Sequence, residues 1–321
     1  MPSFSIVVPV YNRPEEIDEL LESLTHQSFK DFEVIIIEDG SESSSEDSVK
    51  KYQSSLNVNY FYKENTGQGF SRNFGADQVK SDWIIFYDSD CVIPPNYLSN
   101  LDDLIRNHPE IDAYCGPDAA SSDFSALQKA ISYSMTSFLT TGGIRGKKIK
   151  VDKETHLRSY NLVMKRSVFR LLGGFAKTNM GEDMELSRRL HKSGHKALIS
   201  DKLKVYHKRR NSFGSFYKQV FSFGRTRIQL KRHYGIPIKI SHLFPSVFFI
   251  GLILCLIFSA FNFYIGKIIL SIYLIYFSCV LIHSSYSEKS LKVGVLATIA
   301  ALYQHLAYGS GFLRELLVGS K

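Results

Sequence analysis

Two aspartates, Asp88 and Asp90, follow the apolar run Trp83–Tyr87. A strand relaxing into a loop at this point can turn both carboxylates toward one divalent cation. Hard oxygen ligands with room left for water and phosphate suit Mg2+ or Mn2+. Acids also follow the apolar run 32–37, as Glu38-Asp39-Gly40-Ser41, and Glu182-Asp183 opens a helical pattern over 182–190. Two other chemistries drop out. No G-x-G-x-x-G follows the first apolar run, Gly67-Gln68-Gly69 lacks a third glycine, and no G-x-x-x-x-G-K-[ST] occurs, which argues against dinucleotide and P-loop sites.

The elements that must position these acids read as alternating strands and helices. Strands are expected at 4–10, 32–37, 58–62 and 83–87, with helices at 14–26, 47–55 and 69–79 between them. Asn12 is the expected N-cap of the first helix, where Pro14 suits the first turn and Ile17, Leu20, Leu21 and Leu24 form an apolar stripe. Such alternation predicts an α/β chain with a doubly wound, mostly parallel sheet, whose ligands sit at the carboxyl ends of the strands. Further helices are expected at 167–172, ended by Gly173-Gly174, and at 182–190, with a short strand at 204–206.

Charge is unevenly spread over the 321 residues. Positions 1–201 carry 23 basic and 29 acidic residues, 202–239 carry 11 basic and none acidic, and 240–321 carry 5 and 2. A basic band beside an apolar tail fits an anionic membrane surface and weakens a nucleic-acid partner as the reason for the basic pI. Residues 240–266, 268–287 and 293–313 lack Asp, Glu, Lys and Arg. The first two are long enough to span, about 241–265 and 268–287, as a tight hairpin around Lys267. The third, with Gln304 and His305, is expected to span, re-enter or lie in the interface. The resulting division is a catalytic domain at 1–207, a basic amphipathic interfacial helix at 208–239, and a membrane region at 240–321. The positive-inside rule faces the catalytic domain to the cytoplasm, at the inner membrane. Four cysteines without C-x-x-C spacing fit a reducing compartment. The N-terminus has no basic stretch ahead of its short apolar run, so no signal peptide is expected there.

Taken together, the motifs resemble those of family 2 glycosyltransferases with the GT-A fold. The matching residues are Val7-Val8-Pro9-Val10-Tyr11-Asn12, Glu38-Asp39-Gly40-Ser41, Asn65-x-Gly67 with Arg72-Asn73, Asp88-Ser89-Asp90, Gly173-Gly174-Phe175 and Gly181-Glu182-Asp183. They span about residues 4–207 in the family's order. The run 304–312 also resembles the tail of membrane-bound members.

The resemblance implies roles residue by residue. Pro9, Tyr11 and Asp39 would hold the nucleotide base, and Arg72 would approach the diphosphate. The family usually has Asp where this chain has Glu38. Asp88 and Asp90 would hold the metal, with His207 completing the metal or diphosphate shell. Asp183 would be the general base of a single inverting displacement, and Glu182 would orient the acceptor or support the loop. Arg225 lies where some membrane-bound relatives carry Q-x-x-R-W, a motif absent here, and would touch phosphate. The basic loop 145–150 would close over the donor or touch lipid phosphate. The implied donor is a nucleotide-diphosphate sugar, UDP-linked by preference over GDP or dTDP. The implied acceptor is a lipid-linked or growing cell-surface glycan. Two alternatives remain: a polyprenyl-phosphate glycosyltransferase, whose ionised acceptor needs no base, and a non-catalytic membrane-anchored sugar-nucleotide binding protein. The acids at 182 and 183 favour a hydroxyl acceptor over the first, and those at 39, 88, 90 and 183 oppose the second.

Overall fold

The computed structural model describes residues 3–119, 124–142, 157–176, 181–261 and 264–319. The elements begin with β1 (Phe4–Val10), α1 (Pro14–Thr25), β2 (Phe32–Asp39), α2 (Glu46–Tyr52), β3 (Val58–Lys63), α3 (Gln68–Gln78) and β4 (Trp83–Tyr87). Next come β5 (Cys91–Val92), α4 (Tyr97–Asn107), β6 (Ala113–Cys115), β7 (Asp118–Ala119), α5 (Ala126–Thr136), α6 (Phe138–Thr141), β8 (Asn161–Lys165) and α7 (Arg166–Leu171). The rest are α8 (Glu182–Lys192), β9 (Ala197–Ile199), β10 (Val205–His207), α9 (Phe213–Tyr234), α10 (Phe244–Ala260), α11 (Tyr264–Ser287) and α12 (Leu291–Val318). The chain divides into two units, 1–119 with 148–207, and 120–147 with 208–321. Of the residues read above as part of the catalytic domain, the described stretch 124–142 therefore groups with the C-terminal helices. The basic loop 145–150 lies outside the described residues.

In the first unit a seven-stranded sheet runs β3-β2-β1-β4-β8-β6-β9. β1, β2, β3 and β4 pair in parallel, and β8 lies antiparallel between β4 and β6. Every residue of β1 and β2 is buried, as continuous apolar strands covered on both faces must be. One face packs Ile6, Val8 and Ile36 with Ile17, Leu20, Leu21 and Leu24 of α1. The other packs Val7, Ile35 and Ile37 with Ala76 of α3 and Leu186 and Leu190 of α8. A small sheet, β5-β10-β7, stands apart from the large one.

Asn12 does not cap α1. Arg13 is the capping position and makes no side-chain cap bond. Asn12 takes a left-handed backbone, φ 55°, and its Oδ1 accepts from the N–H groups of Glu42 (2.8 Å) and Ser43 (3.1 Å). A short amide that tolerates positive φ ties the loop after β2 to the end of β1.

The second unit is helical, with α12 in contact with α5, α9, α10 and α11. The apolar positions Phe216, Val220, Ile228 and Leu230 of the basic helix α9 are buried, and its main neighbour is α12. A Cβ on Gly224 would stand 2.2 Å from Tyr308 O, and one on Gly311 2.1 Å from Phe221 O. The two backbones meet where only glycine fits. At the far end of this contact the buried Glu315 receives Arg225 Nε at 2.8 Å and Arg232 Nη1 at 3.4 Å.

Among the described residues, two helices are long and apolar enough to cross a membrane, Ile240–Ala260 and Tyr264–Ser287. Only 17% and 11% of their apolar windows are buried, which sets them apart from core helices. α12, the third apolar segment of the sequence, is instead rich in buried small residues: Ala297, Ala300, Ala301, Ala307, Gly309 and Gly311.

Candidate active site

The polar groups gather where strands of the large sheet end and the small sheet begins. β4 ends at Tyr87, Asp88-Ser89-Asp90 follows, and β5 then pairs antiparallel with β10, setting Cys91 opposite His207. That register carries His207 Nε2 to 2.9 Å from Asp90 Oδ1 and 4.0 Å from Asp88 Oδ2. The Tyr160 ring packs on the imidazole with centroids 4.5 Å apart. Ligand atoms of Asp90, Cys91 and His207 lie within 4.8 Å of one another. Burial first, then the nearby Asp90 and Asp88, push the Cys91 thiol well up, so it stands as a neutral thiol beside the acids. Two carboxylates and an imidazole form a donor set that fits Mg2+ or Mn2+.

Arg72 sits elsewhere than a diphosphate-facing role requires. It has no exposed side-chain surface, and its guanidinium joins two carboxylates distant in sequence: Nη2 donates to Asp88 Oδ1 at 2.6 Å and Nη1 to Glu182 Oε1 at 2.9 Å. Such a buried cation persists only when its partners are held in place, because removing either leaves an unpaired charge in a low-dielectric region. Glu182 is also buried and accepts from Gln68 Nε2 at 2.9 Å. Burial, aided by Asp183, raises its pKa against the opposing pull of Arg72. Asp183, the next residue, is half-buried at the start of α8, with Oδ1 accepting from Met184 N–H at 2.8 Å.

The end of β2 forms a second polar group. The parallel register sets Asp39 beside Lys63, and Asp39 Oδ1 accepts from Lys63 Nζ at 2.5 Å and Thr66 N at 3.0 Å. Its Oδ2 accepts from Gly67 N at 2.9 Å. Burial alone would raise the Asp39 pKa, but the hydrogen bonds from Lys63, Thr66 and Ser71 outweigh it and hold the carboxylate below its ordinary value. Glu38, in place of the family's usual Asp, is fully buried and organises the following loop. It accepts from Ser41 Oγ, from Ser45 N at 2.8 Å and from Ser45 Oγ at 2.5 Å. Between the two acids and that loop, Gly40 takes φ +73°, and a Cβ there would lie 2.6 Å from Asn65 N. Tyr11, just past β1, is 49% exposed, while Pro9 is buried and paired with Ile37. Arg225 belongs to the second unit, with its Nε on Glu315.

Two cations near these acids escape the sequence reading. Lys63 ends β3 and holds Asp39. Arg13 Nη1 lies 3.1 Å from Glu16 Oε2 and 3.6 Å from Asp90 Oδ2. Both carried a signal: Lys63 is a lysine at the end of a strand beside an acidic strand end, and Arg13 is a cation at a helix start, where the macrodipole disfavours it.

Comparison with known proteins accords with this arrangement. Residues 5–173 match the family described as Glycosyl transferase family 2. An uncharacterized glycosyltransferase of Haemophilus influenzae is 40% identical over 109 residues, 34% of this chain and 36% of its own length. The poly(ribitol-phosphate) beta-N-acetylglucosaminyltransferase TarS of Staphylococcus aureus is 35% identical over 112 residues, 34% of this chain and 20% of its own. The matches thus cover about a third or less of these relatives. A mannosyltransferase of Pyrobaculum calidifontis, solved with GDP-Man and Mn2+, superposes with a TM-score of 0.59 at 14% identity, over 99% of this chain and 88% of that one. A TarS fragment solved with UDP-GlcNAc gives 0.53 at 17%, over 98% and 91%. At such identities the superpositions speak to the fold, which is of the GT-A type. With the family match extending over more than half its length and through the Asp88-Ser89-Asp90 turn, the chain belongs to glycosyl transferase family 2.

Proposed function

We propose that this protein is a membrane-bound inverting glycosyltransferase. It moves a sugar from a nucleotide-diphosphate sugar to a hydroxyl of a lipid-linked or growing cell-surface glycan, in the setting of envelope polysaccharide synthesis. A UDP-sugar is the favoured donor, in line with the TarS fragment solved with UDP-GlcNAc. GDP-sugars follow, since the mannosyltransferase was solved with GDP-Man, and dTDP-sugars come last. The observation that carries the reading is the meeting of Asp88, Asp90 and His207, with Arg72 joining Asp88 to Glu182.

Asp88, Asp90 and His207 would hold Mg2+ or Mn2+. Bound there, such a cation would supply positive charge toward a nucleotide diphosphate leaving group. Pro9, Tyr11 and Asp39 border the nucleotide base, with the exposed Tyr11 ring as its packing surface. Asp183 takes the proton of the acceptor hydroxyl as its oxygen bonds the anomeric carbon and the bond to the diphosphate oxygen breaks. Arg72 acts from behind the site as a positioning residue, fixing Asp88 against Glu182, the neighbour of Asp183. Arg225 is left out of the donor site because its Nε already serves Glu315.

The two apolar helices would form a membrane hairpin, with the first unit and the basic helix α9 on the cytoplasmic side of the inner membrane, facing its anionic surface. The test is release of nucleotide diphosphate by detergent-solubilised protein across a panel of donors. Turnover should require Mg2+ or Mn2+ and cease in EDTA; full activity in EDTA overturns the metal assignment.

A further inference from the structure

Arg13 has no part in the reading above, yet its guanidinium stands at the cation ligands. Nη1 bonds Glu16 through both carboxylate oxygens, at 3.3 and 3.1 Å, and lies 3.6 Å from Asp90 Oδ2. Glu16 Oε2 in turn accepts from Ser89 Oγ at 2.8 Å, inside the same turn. Arg13, Glu16, Ser89 and Asp90 thus form one cluster linking the start of α1 to the end of β4. The Arg13 side chain is 38% exposed while that of Asp90 is 10% exposed, so the cation can leave and the carboxylate cannot.

We propose that Arg13 is a stand-in cation: it neutralises Asp90 before the metal arrives and turns to the nucleotide diphosphate once the metal is in place. A divalent ion on Asp90 repels a guanidinium at this distance, and the diphosphate that accompanies it supplies anionic oxygens suited to bidentate contact. Competition from Arg13 weakens metal binding to the free protein. The nucleotide removes that competition, so cation and nucleotide bind synergistically. The inference rests on Asp88, Asp90 and His207 holding the cation.

The experiment is Mn2+ titration of the full-length protein in detergent, followed by electron paramagnetic resonance of free Mn2+, alone and with UDP or GDP. Arg13→Gln should bind Mn2+ about three- to tenfold more tightly than wild type without nucleotide, the range expected for removal of a half-exposed competing charge. The gain in Mn2+ affinity on adding nucleotide should shrink by a similar factor. Arg13→Met, which removes the charge but keeps the aliphatic stem, should tighten Mn2+ binding by a similar factor, and it carries the test if Arg13→Gln does not fold. Unchanged Mn2+ affinity in the folded variants, with wild type binding normally, overturns the role of Arg13 alone. Wild type that binds no Mn2+ with either nucleotide overturns the cation site and this inference together.

Discussion

Both units bury an arginine–glutamate contact, and the two are built differently. In the first unit Arg72 is wholly enclosed and grips Glu182 and Asp88, partners 110 and 16 residues away. In the second, Glu315 is enclosed, but Arg225 and Arg232 keep 33% and 38% of their side-chain surface exposed. Charge without access to water is tolerated at the sheet end because two carboxylates share one guanidinium. Along the helices the cations retain access to solvent and small residues bring the backbones together. One arrangement holds Asp88 and Glu182 at a fixed separation, whereas the other staples two helices.

The largest test of this contrast is Asp90→Ala. Loss of a hard ligand from the acidic turn should reduce transfer to background, on the order of 10³-fold or more, and weaken metal-dependent donor binding. Undiminished nucleotide diphosphate release by this variant would show that the turn is not the reactive centre.

Asp183→Asn separates proton transfer from binding. Turnover should fall by about 10²–10⁴, while calorimetry finds donor affinity retained, since Tyr11, Asp39 and the Asp88/Asp90 pair are untouched. Normal turnover would favour an acceptor that is already ionised, such as a polyprenyl phosphate. Loss of donor binding as severe as in Asp90→Ala would place Asp183 with the metal ligands or the fold.

The two arginines compare directly. Arg72→Met should destabilise the protein by about 3–5 kcal/mol, because it leaves the buried Glu182 carboxylate without its cation and also takes the partner of the part-exposed Asp88. Arg225→Met should cost about 1 kcal/mol or less, because its cation is solvated and Arg232 remains on Glu315. Denaturation midpoints of both variants in the same detergent decide it. Equal losses would mean that the two contacts are energetically alike.

The smallest effect concerns orientation rather than energy. With the exposed Cys279 replaced by Ser, Lys231→Cys and Lys289→Cys should resist an impermeant thiol reagent in intact cells, and Lys267→Cys should be labelled. Labelling at 231 would reverse the topology.

Much of the architecture is legible in the chain because it depends on local properties. The strand expected at 83–87 is β4 to the residue, and Ile17, Leu20, Leu21 and Leu24 do form the buried stripe of α1. Continuous apolar runs between helical patterns suffice for a parallel sheet. Uncharged stretches about as long as a bilayer crossing mark the two apolar helices, because charge content is a property of the segment alone, but not their ends: α10 stops at Ala260 and α11 starts at Tyr264, so Lys267 lies inside α11 and not between the helices as expected. The Asp88-Ser89-Asp90 turn is visible for the same reason: both acids and the strand before them are neighbours in sequence.

What the tertiary structure decided are the pairings over long separations. Antiparallel β5–β10 pairing brings His207 to Asp90, and nothing in the 116 residues between them encodes that register locally. Arg72, which the family resemblance turns toward the diphosphate, is enclosed between carboxylates by the packing of α3 and α8 on one face of the sheet. Asn12 reads as a cap until the loop after β2 claims its side chain. Phe216 and Val220 of α9 read as apolar positions of a basic helix, and only the fold supplies α12 as the neighbour of that helix. In each case the side chain's local preference is satisfied by more than one partner, and the partner chosen depends on which surfaces the whole chain brings within a few ångströms. That choice is set by packing and desolvation summed over the fold, which no window of sequence contains.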